Sequence, residues 1–225
     1  MQSRVFENRH EAGRQLAEQI AAGRFENPVV YALPRGGAPI GAEIASRLGA
    51  PLDLLLVRKI GAPGHEELAV GAIVNGEQPD IVRNADILEA SGMGRAQFDA
   101  ACARALVEIA RRRALYLEGA PPVPARGATA ILVDDGVATG ASMRAALEAI
   151  RRRGPKRVIV ATTVAARDTV RDLEKLADQV FCLLTPDRFE SVGQHYRDFR
   201  QLSDEDVVRV MRAARAPHAG PGVSA

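Results

Sequence analysis

Tryptophan is absent from this chain, and aromatic residues make up only 4% of it. The formal net charge is a mild +2, with no clustered basic and aromatic face of the kind that holds nucleic acid. Cysteine is almost missing: Cys102 and Cys182 stand alone without CxxC spacing, which excludes a disulfide framework and a zinc ribbon. His10, His65, His195 and His218 are scattered, so no histidine-built metal site is expected. No apolar run is long enough to span a bilayer. The opening "MQSRVFENRHEAGRQLAEQI" mixes charges through an amphipathic pattern, unlike a secretory leader, so a reducing cytoplasm is the expected setting. Lysine is scarce too: Lys59, Lys156 and Lys175 are set against a background of arginine.

What is present is an alternation. Ala12, Leu16 and Ile20 mark an opening helix by their spacing. "PVVYALPRGG" reads as a strand, "APIGAEIASRLG" as a helix stopped by Gly49, and "LDLLLVRK" as a second strand ending on Arg58 and Lys59. After a turn-rich loop, "LAVGAIV" is a third strand, antiparallel to the second because the connection is too short for a crossover. A short helix is expected at "NADILEAS" and a long one over 95–118, its "RRR" at 111–113 forming a solvated face near the C-terminus. "ATAILVDD", "KRVIVATTVA" and "QVFCLL" supply three more strands, each followed by a polar or helical segment. Ser203 and Asp206 have the spacing of a capping box for the last helix. The pattern predicts an α/β fold with a mostly parallel sheet covered on both faces, one domain over 1–216, and a disordered Pro/Gly/Ala-rich tail at 217–225.

Ligands in such sheets lie beyond the carboxyl ends of the strands. Two strands end there in glycine-rich loops that open helices: "LPRGG" and "VDDGVATGAS". In the second, Ala138, Thr139, Gly140, Ala141 and Ser142 lead into a helix N-terminus, a natural anion site with hydroxyl donors added. Asp134 and Asp135 stand just upstream and would repel an anion unless a diol or a hydrated Mg²⁺ lies between. In the first loop Arg35, Gly36 and Gly37 offer a second anion site. Two anion sites flanking a diol binder fit a ribose phosphorylated at both ends. "GGAPIG" lacks dinucleotide spacing and no GK[ST] follows a glycine loop, which excludes those nucleotide motifs; a receiver-type phosphoacceptor would need an early acidic cluster where "LPRGG" stands.

At these residues the sequence resembles the type I phosphoribosyltransferases. "ILVDDGVATGAS" matches their binding signature for phosphoribosyl pyrophosphate (PRPP), and "LPRGG" resembles their pyrophosphate loop. The resemblance implies a three-layer α/β/α sheet of order 3-2-1-4-5-6 with strand 3 antiparallel, which would set the two loops side by side. It implies Mg²⁺-dependent transfer of the phosphoribosyl group from PRPP to a small-molecule acceptor such as a nitrogenous base, within nucleotide metabolism. By position, Asp134 and Asp135 would hold the ribose hydroxyls and Mg²⁺, 138–142 the 5′-phosphate, and Arg35, Gly36 and Gly37 the pyrophosphate. Arg58 and Lys59 would stand near the pyrophosphate, and 60–67 would be a mobile flap, with Lys59 and Glu67 as catalytic candidates and His65 and Glu66 as further ones. A cis peptide at Pro34–Arg35 and a homodimer are also implied. A PRPP-binding regulator without turnover is the alternative on the same fold. No membrane or nucleic-acid partner is expected. Phe189, Tyr196 and Phe199 concentrate aromatics in 187–199; Phe189 or Tyr196 could stack on a base, or the segment could pack the closing helix onto the sheet.

Overall fold

The computed structural model describes residues 5–75 and 79–215, with Glu66 and Glu67 described in backbone only; the expected tail lies outside the described residues. Five strands form the central sheet: β1 (Pro28–Ala32), β2 (Leu52–Leu54), β6 (Thr129–Asp134), β7 (Arg157–Val164) and β8 (Gln179–Leu184). Their order is β2-β1-β6-β7-β8, and every pairing is parallel. Side chains alternate between two buried faces, as a sheet covered on both sides requires. Val30, Ile131, Val133 and Ile159 face one core with Leu16, Ile20, Ile40, Ile44, Val207 and Met211. These helical residues come from α1 (Arg9–Ala21), α2 (Gly37–Leu48) and α7 (Asp204–Arg215). Tyr31, Ala130, Leu132, Val158 and Val160 face the other core, with Met143, Leu147 and Ile150 of α5 (Ala141–Arg152) and Leu173 of α6 (Arg167–Glu174). The three layers and the adjacency of β1 and β6 match the expectation from sequence.

The expected third strand is antiparallel, but it does not lie at the edge of this sheet. "LDLLLVRK" is two strands, not one: β2 stops at Leu54, and the chain turns out through Leu55 and Leu56 into β3 (Val57–Ala62). With β4 (His65–Val74) and β5 (Asp80–Arg83) it makes a separate antiparallel sheet of order β3-β4-β5. The buried Asn75 holds the break. Its Oδ1 accepts from Leu56 N at 2.5 Å and its Nδ2 donates to Leu54 O at 3.1 Å, satisfying the two backbone groups that the departing strand frees.

Of the other elements, α3 (Ala85–Ala90) is capped by Asn84, whose side chain accepts from Ile87 N, and α4 (Arg95–Leu117) spans the expected range with Phe98, Cys102, Ala105 and Ile109 buried. Its arginine run is not uniformly solvated. Arg111 and Arg112 pair with Glu108, but Arg113 turns inward to Asp53 at 3.5 Å, where both side chains are largely covered. Ser203 and Asp206 form the expected reciprocal cap, at 3.1 and 3.0 Å.

Candidate active site

The two glycine loops meet because β1 and β6 run side by side, Ala32 opposite Val133. One more hydrogen bond, Leu33 N to Val133 O at 2.8 Å, extends the pairing into the loops. The Pro34–Arg35 peptide is cis, as the resemblance implied. Beyond it, Gly36 and Gly37 lie flat against the acidic turn. A Cβ on Gly37 would stand 2.5 Å from Val133 O, and one on Gly36 would land on the Asp135 carboxylate. Only glycine allows the loops this approach.

Asp134 closes β6 and is half-buried; its Oδ1 accepts from Asp135 N at 2.9 Å. Burial, and after it the neighbouring Asp135 charge, push its carboxyl well above the usual range. Burial also raises Asp135, and Arg9 works against it. The Arg9 guanidinium is buried, donates from Nε to Asp135 Oδ2 at 2.7 Å and from Nη1 to Arg200 O at 3.0 Å, and lies 4.0 Å over the Phe199 ring. The Asp135 carbonyl accepts from Thr163 Oγ1 at 2.5 Å and from Tyr196 OH at 2.8 Å. The acidic turn is therefore held by its carboxylate and by its carbonyl.

Downstream, Gly140 adopts the left-handed conformation (φ 75°) that turns the chain into α5. Thr169 Oγ1 donates to Ala138 O at 2.7 Å and Arg144 to Thr139 O at 2.8 Å, so these carbonyls are tied off. The first-turn N–H groups of α5, with Ser142 beside them, are donors that can meet an anion.

Lys59 lies within β3, opposite Ala72, and lines a groove with Thr139, Ala141 and Arg144. It is thus brought beside the start of α5, though from a separate sheet rather than from the end of β2. Arg58 lines an open cleft of about 920 Å³ with Gln97, Arg104 and Ser142. Segment 60–67, expected as a flap loop, is a β-hairpin whose turn is Pro63–Gly64. The Glu66 and Glu67 side chains, and with them the catalytic expectation for Glu67, lie outside the described residues; His65 begins β4, paired with Ala62. Arg35 has its backbone at the acidic turn, but its guanidinium points to Asp204 Oδ1, 3.5 Å away, which also accepts from Tyr116 OH at 2.6 Å. That bond is the foremost influence holding Asp204 below its ordinary value, while burial and then the Asp204 bond raise the Tyr116 phenol to about 12.

No group of three or more His, Cys, Asp or Glu side chains that could cage a metal occurs among the described residues. Asp134 and Asp135, one of them already ion-paired, fit an ion that takes a minority of its ligands from protein and the rest from substrate oxygens and water, as Mg²⁺ does.

The phosphoribosyl transferase domain family matches residues 2–200. The chain belongs to this family. It is 41% identical over 219 residues to proteins of two Mycobacterium tuberculosis strains, CDC 1551 and H37Rv, provisionally named phosphoribosyl transferases. That match covers 97% of this chain and 49% of theirs, so the chain spans about half the length of these curated relatives. A Thermus thermophilus protein of known crystal structure is 40% identical, with a TM-score of 0.81 over 92% of this chain and 97% of that one.

Within this phosphoribosyl transferase domain, the acidic pair, the residues that open α5 and the glycines of the first loop were picked out from sequence, and the structure brings them together. Arg9, Thr163 and Phe199 were not read as site residues. Arg9 sits in an ordinary amphipathic helix 126 positions from its partner, and no spacing rule connects them. The aromatic segment was noticed, and it packs. Tyr196 is buried against Phe6 and Phe199, Phe189 stacks on His195 with centroids 6.3 Å apart, and the Phe199 face is covered by Arg9.

Proposed function

We propose that this domain is a Mg²⁺-dependent phosphoribosyltransferase that takes the 5-phosphoribosyl group from PRPP, passes it to a nitrogenous acceptor and releases pyrophosphate. The observation that carries this reading is the interlock of the two loops: the acidic turn lies between the first turn of α5 on one side and the Arg35–Gly37 backbone on the other. Asp134 and Asp135 receive the ribose hydroxyls. Residues 138–142 receive the 5′-phosphate, and Lys59 adds a cation beside it. Arg35, Gly36 and Gly37 face the pyrophosphate, and Arg58 stands at the cleft beyond.

The bond from the anomeric carbon to pyrophosphate breaks as the bond to the acceptor nitrogen forms, and positive charge builds on the ribose. Carboxylates fixed beside the ring stabilise that charge without reorganising. Mg²⁺, held by Asp134 and Asp135 directly or through water, would neutralise the departing pyrophosphate. Tyr196 is buried against Phe6 and Phe199 and is not open to stack on the acceptor.

The family membership and the relatives' names support a transferase of this class. No described helix is long and apolar enough to cross a membrane. The test is pyrophosphate release from PRPP with Mg²⁺ across purines, pyrimidines and pyridine carboxylates. Turnover on one acceptor class is expected. Tight Mg²⁺-dependent PRPP binding with no turnover on any of them assigns the alternative, a PRPP-binding regulator. Absence of PRPP binding overturns both.

A further inference from the structure

The acidic pair presents an electrostatic problem that the signature loop does not solve by itself. Two adjacent carboxylates stand just before the start of α5, where an anion would be held, and like charges so close repel both each other and that anion. The resolution comes from outside the loop. Arg9 is 8% exposed, and its guanidinium meets three groups at once: the Asp135 carboxylate, the Arg200 carbonyl and the Phe199 ring. A planar fork held on one face by an aromatic ring and along its edge by a carbonyl has little freedom left, so it fixes the carboxylate it meets. The same Asp135 has its carbonyl gripped by Thr163 and Tyr196. The segment that supplies Tyr196, Phe199 and Arg200 is itself laced to the start of α1. Phe6 N donates to His195 O, Arg197 N to Phe6 O and Asp198 N to Glu7 O, at 2.8 to 2.9 Å.

We infer that Arg9 is the positioning residue of the acidic pair. It turns one carboxylate oxygen of Asp135 toward itself and leaves the other for the ligand. It also cancels one of the two adjacent negative charges, so that a ribose phosphate can be held beside them. Asp134, which the Arg9 fork does not reach, is left to meet the diol. This assignment rests on the PRPP reading above and adds to it the residue that makes the pair tolerable next to a phosphate.

The test is Mg²⁺-dependent PRPP affinity by calorimetry on the full chain, with ribose 5-phosphate as a second probe and thermal melting as the control for folding. Arg9→Gln is expected to weaken PRPP binding by about tenfold or more, the size of effect seen when a buried charge loses its partner. Arg9→Lys, which keeps the charge but not the fork, should fall between Arg9→Gln and the wild type. Arg9→Gln combined with Asp135→Asn should bind no worse than Asp135→Asn alone, because both substitutions act on one carboxylate. A purely structural Arg9 would instead lower the melting temperature while leaving the affinity of the folded protein unchanged. Unchanged affinity in Arg9→Gln, or losses from Arg9→Gln and Asp135→Asn that add, overturns the inference. If Arg9→Gln does not fold, Arg9→Lys carries the same decision, and wild-type affinity there overturns it. Failure of the wild-type chain to bind PRPP would be a different result, one that removes the functional reading itself.

Discussion

Gly36 is the residue on which the interlock turns. Its missing side chain is what lets the first loop lie against Asp135, and any Cβ there lands on the carboxylate. Gly36→Ala must therefore push the loops apart. The expected result is a stability loss of about 1–3 kcal/mol from overpacking, read as a lower urea midpoint, together with weaker PRPP binding. Binding equal to the wild type would show that the loops do not act as one site. Replacing Asp134 and Asp135 together by Asn removes the charges that face the diol but keeps their shapes. PRPP affinity should drop by about a hundredfold or more, and the melting temperature should fall, since the buried Arg9 guanidinium loses its carboxylate. These residues were legible because each carries its own chemical oddity in a short window: paired acids after a strand, then small residues before a helix. Arg9 was not legible. Its function lies in a contact between distant parts of the chain, and neither end of that contact is unusual where it stands.

Among the elements, the break between β2 and β3 is the feature that sequence reading missed. "LDLLLV" is uniformly apolar apart from Asp53, and no glycine, proline or asparagine marks the exit of the chain at Leu55–Leu56. The signal lies at Asn75, a polar residue that is fully buried because it completes the backbone pairing of Leu54 and Leu56. Asn75→Ala should cost about 2–5 kcal/mol, since two buried backbone groups lose their partner at once. Denaturation curves would measure it, and a cost under about 0.5 kcal/mol would show that the break holds without the side chain. β5 escaped notice for another reason: it is four residues long and half exposed, too short for alternation to register.

The segment over the acidic turn has its own expected behaviour. His195 is 4% exposed, neither ring nitrogen has a partner among the described residues, and burial depresses its pKa below the ordinary 6.5. A depressed histidine binds its proton more readily in the unfolded chain. Its contribution to stability is therefore intact above pH 6.5 and is lost as pH falls through the folded value. The melting temperature should drop more steeply between pH 7 and pH 5 in the wild type than in His195→Leu. Parallel slopes would mean that His195 is not the group being titrated.

Across the whole molecule, the alternation of strands and helices foretold three layers and the adjacency of β1 and β6, because parallel strands buried on both faces leave a strong apolar signature. What alternation could not foretell is how segments 6–9 and 195–200 come together over the sheet, since those contacts are made by ordinary side chains and by the backbone of 195–200. The signature loop is local, and the structure that makes it serviceable is not. This has a consequence for how the protein comes into being. Arg9 is synthesised before Asp135, and Phe199 and Arg200 follow both. A nascent chain that has delivered the entire signature still lacks the strap against which Arg9 is set. Domains generally fold as units during synthesis, and here the ligand site should be the last part of the unit to mature. Ribosome-stalled chains ending shortly after β8 should carry the strands of the central sheet and yet fail to retain PRPP, and chains extended past Arg200 should gain it abruptly.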